Sequence, residues 1–191
     1  MGLMDIQSAQ FIKGIVQDDE IMNNGLPQVA FIGRSNVGKS SLINALTNKS
    51  TLSRVSSSAG STQEINFFLI NKSLYFVDLP GYGFARASNE TRDKLSSLIH
   101  SYLFNDVYTQ KKVVLIIDIN VGMTDKDIVM FEELVKHKKD IIIALSKVDK
   151  ITQSELHRNL SAIKKITMDY PLFLFSSKKG TGISALVSEI I

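Results

Sequence analysis

The chain has 191 residues, of which 44% are hydrophobic and 21% are charged, and it contains no cysteine. This length and composition are typical of one globular domain with a single core, and the lack of cysteine excludes disulfides and thiolate metal sites. No apolar run is long enough to cross a membrane, and the first residues lack the features of a signal peptide. The sequence therefore predicts a cytoplasmic protein without a membrane partner.

The net charge of +3 is too small by itself to indicate nucleic-acid binding. Residues 1–27 are acidic, whereas lysines cluster later in the chain. Two interpretations of these clusters stay open: solvated lysines on helix ends and loops, or a surface that faces RNA. The clusters are Lys111-Lys112, residues 136–139, Lys164-Lys165 and Lys178-Lys179.

The N-terminal segment shows little periodicity. Phe11, Ile12 and Ile15 predict one apolar face, which ends at an acidic and asparagine-rich stretch. We therefore expect residues 1–24 to form an appendage that packs on the edge of a domain spanning residues 25–191.

Residues 33–40 carry the pattern G-x-x-x-x-G-K-S. An apolar run at 29–32 predicts a buried strand before it, and apolar residues at helical spacing follow Ser40. In this setting the glycines let several backbone N–H groups point at one anion, and the helix N-terminus adds its positive dipole end. Lys39 can reach β- and γ-phosphates, and the Ser40 hydroxyl can bind Mg²⁺, so the pattern predicts a nucleotide-binding phosphate loop.

Residues 48–62 are rich in serine and have no useful period, which in a compact domain indicates a functional or disordered loop. Thr62 lies just before the next apolar run, where its hydroxyl can complete Mg²⁺ coordination when a γ-phosphate is present. The loop is then a switch that triphosphate orders and hydrolysis releases. The alternative is an ordinary linker.

Strands and helices alternate through the rest of the chain. Apolar runs at 65–70 and 74–77 predict a hairpin, and further buried strands are expected at 113–117, 141–145 and 172–175. Helices are expected at about 88–104, 124–135, 152–168 and 183–190, two of them opened by capping boxes. This order predicts an α/β fold with a mostly parallel sheet, one antiparallel edge strand, and helices on both faces.

Polar residues follow several of these strands, and ligands of such sheets bind at the carboxyl ends of the strands. Asp78 can hold Mg²⁺ through water, and Gly81 lets the backbone N–H approach a γ-phosphate. Asp149 can accept both N1–H and N2–H₂ of guanine, which argues against an adenine-specific kinase or ATPase. The stem of Lys147 can lie against the base, and the stretch from Ser176 to Lys178 can offer backbone N–H groups to its carbonyl.

Taken together, these motifs resemble the EngB (YihA/YsxC) family within the TrmE-Era-EngA-like, translational-factor-class GTPases. The resemblance rests on residues 33–44, 62–68, 78–83 and 175–178, and it covers the chain from about residue 25. It implies a Ras-like P-loop fold with a six-stranded sheet, GTP and GDP as ligands, and Mg²⁺ as cofactor. It also implies a role in assembly of the large ribosomal subunit and in normal septation.

Three stretches depart from the family pattern. Ser146 stands where threonine or asparagine is usual, so its contact with the base is expected to be weak or absent. Ala59-Gly60-Ser61 replaces Pro-Gly-Arg, and residues 119–121 replace a stretch that usually carries Arg-His. Tyr82 occupies the position where Ras-like enzymes carry the water-orienting glutamine, which predicts slow intrinsic turnover. We also expect the protein to be a monomer.

The resemblance implies a set of site residues. Those expected at the nucleotide are Gly33, Arg34, Ser35, Asn36, Val37, Gly38, Lys39, Ser40, Ser41, Gly60, Ser61, Thr62, Gln63, Asp78, Leu79, Pro80, Gly81, Ser146, Lys147, Val148, Asp149, Phe175, Ser176, Ser177 and Lys178. Those expected to act in catalysis are Asn36, Lys39, Thr62 and Gly81, and those expected to hold Mg²⁺ are Ser40, Thr62 and Asp78.

Asn36 has two interpretations: a ligand of an activating K⁺ ion, as in several relatives of this class, or a residue that only hydrogen-bonds within the loop. The function also has an alternative, a nucleotide-gated binding module with incidental hydrolysis that acts on a non-ribosomal septation partner.

Overall fold

The computed structural model describes residues 6–53, 64–82 and 89–191, and it contains a seven-stranded mixed sheet. The strands are β1 (Ala9–Ile15), β2 (Gln28–Gly33), β3 (Ile65–Ile70), β4 (Leu74–Asp78), β5 (Lys112–Asp118), β6 (Ile141–Ser146) and β7 (Leu172–Leu174). The α-helices are α1 (Lys39–Leu46), α2 (Asn89–Phe104), α3 (Asp125–Lys136), α4 (Gln153–Thr167) and α5 (Ile183–Ile190). The predicted α/β class, hairpin and order of elements are confirmed.

The strands lie in the order β1-β3-β4-β2-β5-β6-β7. All neighbours from β4 to β7 pair in parallel, whereas β3 pairs antiparallel with both β4 and β1. The antiparallel pairing is therefore confined to one edge, as the hairpin predicted. The expected count of six strands is wrong, because β1 adds a seventh.

The N-terminal segment packs on this edge as a strand. Ala9 and Ile15 are buried, but Phe11 and Ile12 are 48% and 38% exposed, so the predicted apolar face is wrong. The pairing with β3 shifts register between Phe11 and Lys13. This irregularity breaks the alternation of faces, which is why residues 9–15 show no strand period.

Helices cover both faces of the sheet. One core layer packs α2, α3 and α4 against the sheet, with Tyr102, Phe131 and Ile163 among its buried residues. The other packs α1 and α5 through residues such as Leu42 and Leu186. Because both faces are covered, the parallel strands β5 and β6 are continuously apolar. Among the described residues, no helix is long and apolar enough to cross a membrane.

Two capping boxes fix the starts of α3 and α4, as predicted. The Thr152 N–H donates to the Glu155 carboxylate at 2.8 Å, and Glu155 N–H donates back to the Thr152 hydroxyl at 3.3 Å. At α3, both the N–H and the hydroxyl of Thr124 donate to Asp127 Oδ2, at 2.8 and 2.7 Å. These bonds satisfy polar groups that a helix N-terminus leaves without intrahelical partners.

The sheet aligns the strand ends that carry the polar motifs. Gly33 pairs with Ile116 in β5, and Asp118 pairs with Ser146 in β6. Asp78 ends β4 opposite Phe31. The loops that follow these strands consequently meet at one edge of the sheet, as expected for parallel strands.

Candidate nucleotide-binding site

The loop between β2 and α1 depends on its two glycines. A Cβ atom at Gly33 would lie 2.6 Å from the carbonyl oxygen of Ile116 and 2.9 Å from Val37. Gly38 has φ of 105° and forms the N-cap of α1, a conformation that disfavours residues with a side chain. The glycine spacing of the phosphate-loop pattern therefore has a direct steric cause in this chain.

Lys39, the first residue of α1, forms a buried ion pair with Asp78 at the end of β4. The two side chains are 7% and 1% exposed. The Ser40 hydroxyl lies 3.4 Å from the other oxygen of the same carboxylate, Oδ2. The structure thus brings together the predicted phosphate-binding lysine and the two described residues that were predicted to hold Mg²⁺.

The backbone after β4 lies directly on the phosphate loop. Ser35 N–H donates to the Tyr82 carbonyl at 3.1 Å, and Tyr82 N–H donates to the Gly33 carbonyl at 3.2 Å. A Cβ at Gly81 would lie 3.0 Å from the backbone nitrogen of Ser35 and 3.2 Å from the Gly33 carbonyl oxygen. Gly81 is therefore needed for the close approach of the two backbones.

The side chain of Tyr82 turns away from the loop and towards α3. Its hydroxyl donates to Asp127 Oδ1 at 2.7 Å. Burial, followed by the charge of Asp127, raises the pKa of the Tyr82 hydroxyl well above its ordinary value. Tyr82 consequently keeps its proton and donates a hydrogen bond to the Asp127 carboxylate, which caps the N-terminus of α3. The position of Tyr82 in the motif did not indicate this role.

The last residue of β6 and the residue that follows it are bonded to the phosphate loop. The buried Ser146 hydroxyl lies 2.7 Å from the Val37 carbonyl and 3.2 Å from that of Ile117. Lys147 Nζ donates to the Asn36 carbonyl at 2.9 Å and to Asp118 at 2.6 Å. Residues 146–149, the segment predicted to recognise the base, are thereby joined to the phosphate loop through the consecutive carbonyls of Asn36 and Val37.

Asp149 is held by the loop that follows β7. The Ser176 hydroxyl donates to Asp149 Oδ1 at 2.6 Å. This bond, opposed by partial desolvation and assisted by nearby lysines, lowers the pKa of the Asp149 carboxyl below its ordinary value. Asp149 is accordingly ionised at neutral pH, the state that accepts hydrogen bonds from a base.

The backbone N–H of Ser176 is already paired with the Thr181 carbonyl at 3.0 Å. The expectation that Ser176 offers this group to a base carbonyl is therefore corrected: its hydroxyl orients Asp149 instead.

Ser177 and Lys178 line a cleft of about 530 Å³ together with Ser41 and Asn44 of α1. A second cleft of about 460 Å³, lined in part by Arg34, lies between the phosphate loop and the start of α3.

The other predicted residues fall into three groups. Val37, Leu79 and Phe175 are buried in the hydrophobic core, so their side chains face the core instead of a ligand. Pro80 is buried and Val148 is half-buried, each next to a predicted contact residue. The predictions for Gly60, Ser61, Thr62 and Gln63 lie outside the described residues.

Several site residues were missed by sequence reasoning. Asp118 ends a buried apolar strand as Asp78 does, and this shared position was a usable signal. Asn44 and Ser53 contact one another across nine positions of the sequence, and nothing in their local pattern indicated that contact.

Comparisons with known proteins agree with this geometry. A family model described as "50S ribosome-binding GTPase" matches residues 28–147. The probable GTP-binding protein EngB of Clostridium perfringens is 40% identical over 190 residues, which cover 98% of this chain and 96% of that protein. The EngB protein of Geobacillus kaustophilus is 39% identical over 183 residues, covering 94% and 93%.

The chain belongs to the EngB family of GTP-binding proteins. Like other members of this GTPase class, it binds guanine nucleotide and hydrolyses GTP to GDP and phosphate. The EngB assignment is the one that the motifs after β2, β4, β6 and β7 had indicated.

Solved structures share the Ras-like fold. A probable EngB protein has a TM-score of 0.69 at 24% identity, covering 85% of this chain and 98% of that one. Era in complex with MgGDPNP and a segment of 16S ribosomal RNA has a TM-score of 0.72 at 24% identity, covering 86% and 55%. NFeoB from S. thermophilus, bound to GDP.AlF4⁻ and K⁺, has a TM-score of 0.64 at 24% identity, covering 86% and 61%.

Proposed function

We propose that this EngB protein is a GTP-controlled switch in the assembly of the large ribosomal subunit, and that normal cell division and septation depend on that role. The observation that carries the proposal is the joined site: the phosphate loop and the Asp149 segment are bonded to each other through Ser146 and Lys147. The ribosomal partner is supported by the match to a family described as "50S ribosome-binding GTPase". We further propose that the protein acts as a monomer in the cytoplasm.

Guanine selection rests on the ionised carboxylate of Asp149. Its two oxygens can accept N1–H and N2–H₂ of guanine, whereas adenine presents no donor at either position. The 2.6 Å bond from Ser176 fixes the orientation of this carboxylate before the base arrives. A site that is already oriented spends less binding free energy on ordering its side chains.

The phosphates and Mg²⁺ are expected at the opposite end of the site. Ser40 and Asp78 supply a hydroxyl and a carboxylate, which are oxygen ligands of the kind that Mg²⁺ prefers, so they fit this ion. Mg²⁺, when bound, would neutralise charge on the phosphate oxygens. Lys39 would exchange the carboxylate of Asp78 for the β- and γ-phosphates, and backbone N–H groups of the loop would hold the same anion.

We expect the intrinsic rate of hydrolysis to be low. The Tyr82 hydroxyl is bonded to Asp127, so it is directed away from any water that would attack a γ-phosphate. We propose that Asn36 compensates in part by binding K⁺. The support is its exposed position on the loop, with φ of 64°, and the K⁺ in the structure of NFeoB.

Co-sedimentation with purified large-subunit particles tests the proposal. The protein is incubated with a non-hydrolysable GTP analogue, with GDP or without nucleotide, at several salt concentrations. We expect more protein in the particle fraction with the GTP analogue, and less at high salt, because lysines that meet RNA phosphates release counterions.

Asp149→Asn provides a matched control. It should lose the response to the GTP analogue and regain it with a xanthosine triphosphate analogue, because the amide can donate to the additional carbonyl of xanthine. Sedimentation that is equal in all nucleotide states would contradict a GTP-controlled switch. Nucleotide-dependent capture of a septation protein, without any binding to particles, would favour the binding-module alternative instead.

A further inference from the structure

Ser53 is a buried polar residue just before the undescribed residues 54–63, and it is only 4% exposed. Its N–H donates to Asn44 Oδ1 at 2.7 Å, and its carbonyl accepts from Asn44 Nδ2 at 2.8 Å. The same Asn44 amide also donates to the Ser50 carbonyl at 3.2 Å. The side chain of Asn44 thus fixes the backbone of Ser53 against helix α1.

The hydroxyl of this fixed residue is directed at the predicted Mg²⁺ site. Ser53 Oγ donates to Asp78 Oδ2 at 3.1 Å, the oxygen that also lies 3.4 Å from Ser40 Oγ. The opposite oxygen, Oδ1, carries the ion pair with Lys39. Among the described residues, one cation and two hydroxyl groups therefore hold the carboxylate of Asp78, which is 1% exposed.

We propose that Ser53 is a positioning residue of the nucleotide–magnesium site, acting through Asp78. The inference rests on the proposed function, in which Lys39 moves to the phosphates and Ser40 binds the ion. Both residues then give up part of their interaction with Asp78. The Ser53 hydroxyl does not face this competition, because Asn44 rather than the nucleotide fixes its backbone.

A buried carboxylate that loses a charged partner must be stabilised by its remaining hydrogen bonds. Ser53 supplies such a bond and keeps Oδ2 in place, so that the whole carboxylate holds the orientation in which it meets the ion. Ser53 consequently links the first part of the predicted switch loop, residues 48–62, to the metal site. Thr62, at the other end of this loop, was expected to reach the same site.

The test measures how Mg²⁺ tightens the binding of a fluorescent GDP. For Ser53→Ala we expect the dissociation constant in EDTA to stay at the wild-type value. The Mg²⁺ concentration that gives half of the tightening should rise about three- to tenfold, as for the loss of one hydrogen bond of ordinary net strength. Ser50→Ala is the matched control, because Asn44 contacts only the carbonyl of the exposed Ser50 and alanine retains it.

The same titration in an Asp78→Ala background separates a positioning role from a structural one. If Ser53 acts through Asp78, the effect of Ser53→Ala disappears in that background. A Mg²⁺ response identical to wild type, or equal weakening in EDTA and in Mg²⁺, overturns the inference and leaves the proposed function standing. Failure of the wild-type protein to bind fluorescent GDP would overturn both. Circular dichroism of each variant verifies that it is folded.

Discussion

Replacing Ser146 with alanine tests whether this residue belongs to the phosphate loop or to the base site. Its hydroxyl is buried and has one proton to donate. The 2.7 Å distance to the Val37 carbonyl is shorter than the 3.2 Å distance to that of Ile117, so we assign the proton to Val37. Ser146→Ala would leave this loop carbonyl without its side-chain donor.

The magnitude follows from that contact. Leaving a buried acceptor without its partner costs about 1–3 kcal/mol, and 1 kcal/mol lowers the melting temperature of a domain of this size by about 2–4 °C. We therefore expect Ser146→Ala to melt roughly 2–12 °C lower than wild type. GDP should bind about tenfold more weakly if 1.4 kcal/mol of this loss falls on the ordering of the loop.

Thermal melts and competition binding with GDP and inosine diphosphate measure both effects. Inosine differs from guanosine only in lacking the 2-amino group, so the ratio of the two affinities reports on recognition of that group. We expect Ser146→Ala to weaken both ligands equally and leave this ratio unchanged. Ser161→Ala, on the exposed surface of α4, is the control for the effect of replacing a serine outside the site. A changed ratio would show that Ser146 contributes to recognition of the 2-amino group, and an unchanged melting temperature would show that its bond to Val37 contributes nothing.

Three further results are expected. Asp149→Asn should weaken GTP by about 1–3 kcal/mol and strengthen xanthosine triphosphate, because an amide donor replaces an acceptor facing guanine; equal GTP affinity would contradict the base assignment. Tyr82→Phe should lower the free energy of unfolding by roughly 1–3 kcal/mol, since Asp127 loses a donor, while the rate of GTP turnover stays constant; a slower rate would place the hydroxyl in catalysis. GTP turnover should be faster in KCl than in NaCl at equal ionic strength, and Asn36→Ala should abolish the difference; equal wild-type rates would leave Asn36 as a structural residue.

Most of the fold could be predicted because its elements are determined locally. β5 and β6 contain continuous apolar runs rich in β-branched residues, and α3 and α4 begin at capping boxes that are visible in the sequence. Strand β1 could not be predicted in the same way. Its partner β3 lies more than fifty residues away, and its register shift removes the alternation that identifies an edge strand.

For the site, the sequence predicted which residues follow the strands but not what their side chains contact. Ser146 was expected to contact the base weakly or not at all, and its hydroxyl instead bonds a loop carbonyl 109 residues away. The pairing of Ser176 with Asp149 likewise spans 27 residues. A motif fixes the end of a strand, whereas the rotamer of each side chain depends on neighbours that only the folded chain brings together.

The ion pair between Lys39 and Asp78 predicts how the site rearranges when nucleotide and metal bind. A buried lysine without a partner would be strongly disfavoured, and Asp78 pairs with this lysine beside the loop before nucleotide arrives. Phosphates carry more negative charge than one carboxylate, so they can replace Asp78 as the partner of Lys39. Asp78 would keep its bond from the Ser53 hydroxyl and would need one further partner, which Mg²⁺ could provide. Nucleotide and metal should therefore bind cooperatively, since the nucleotide releases the carboxylate that faces the metal.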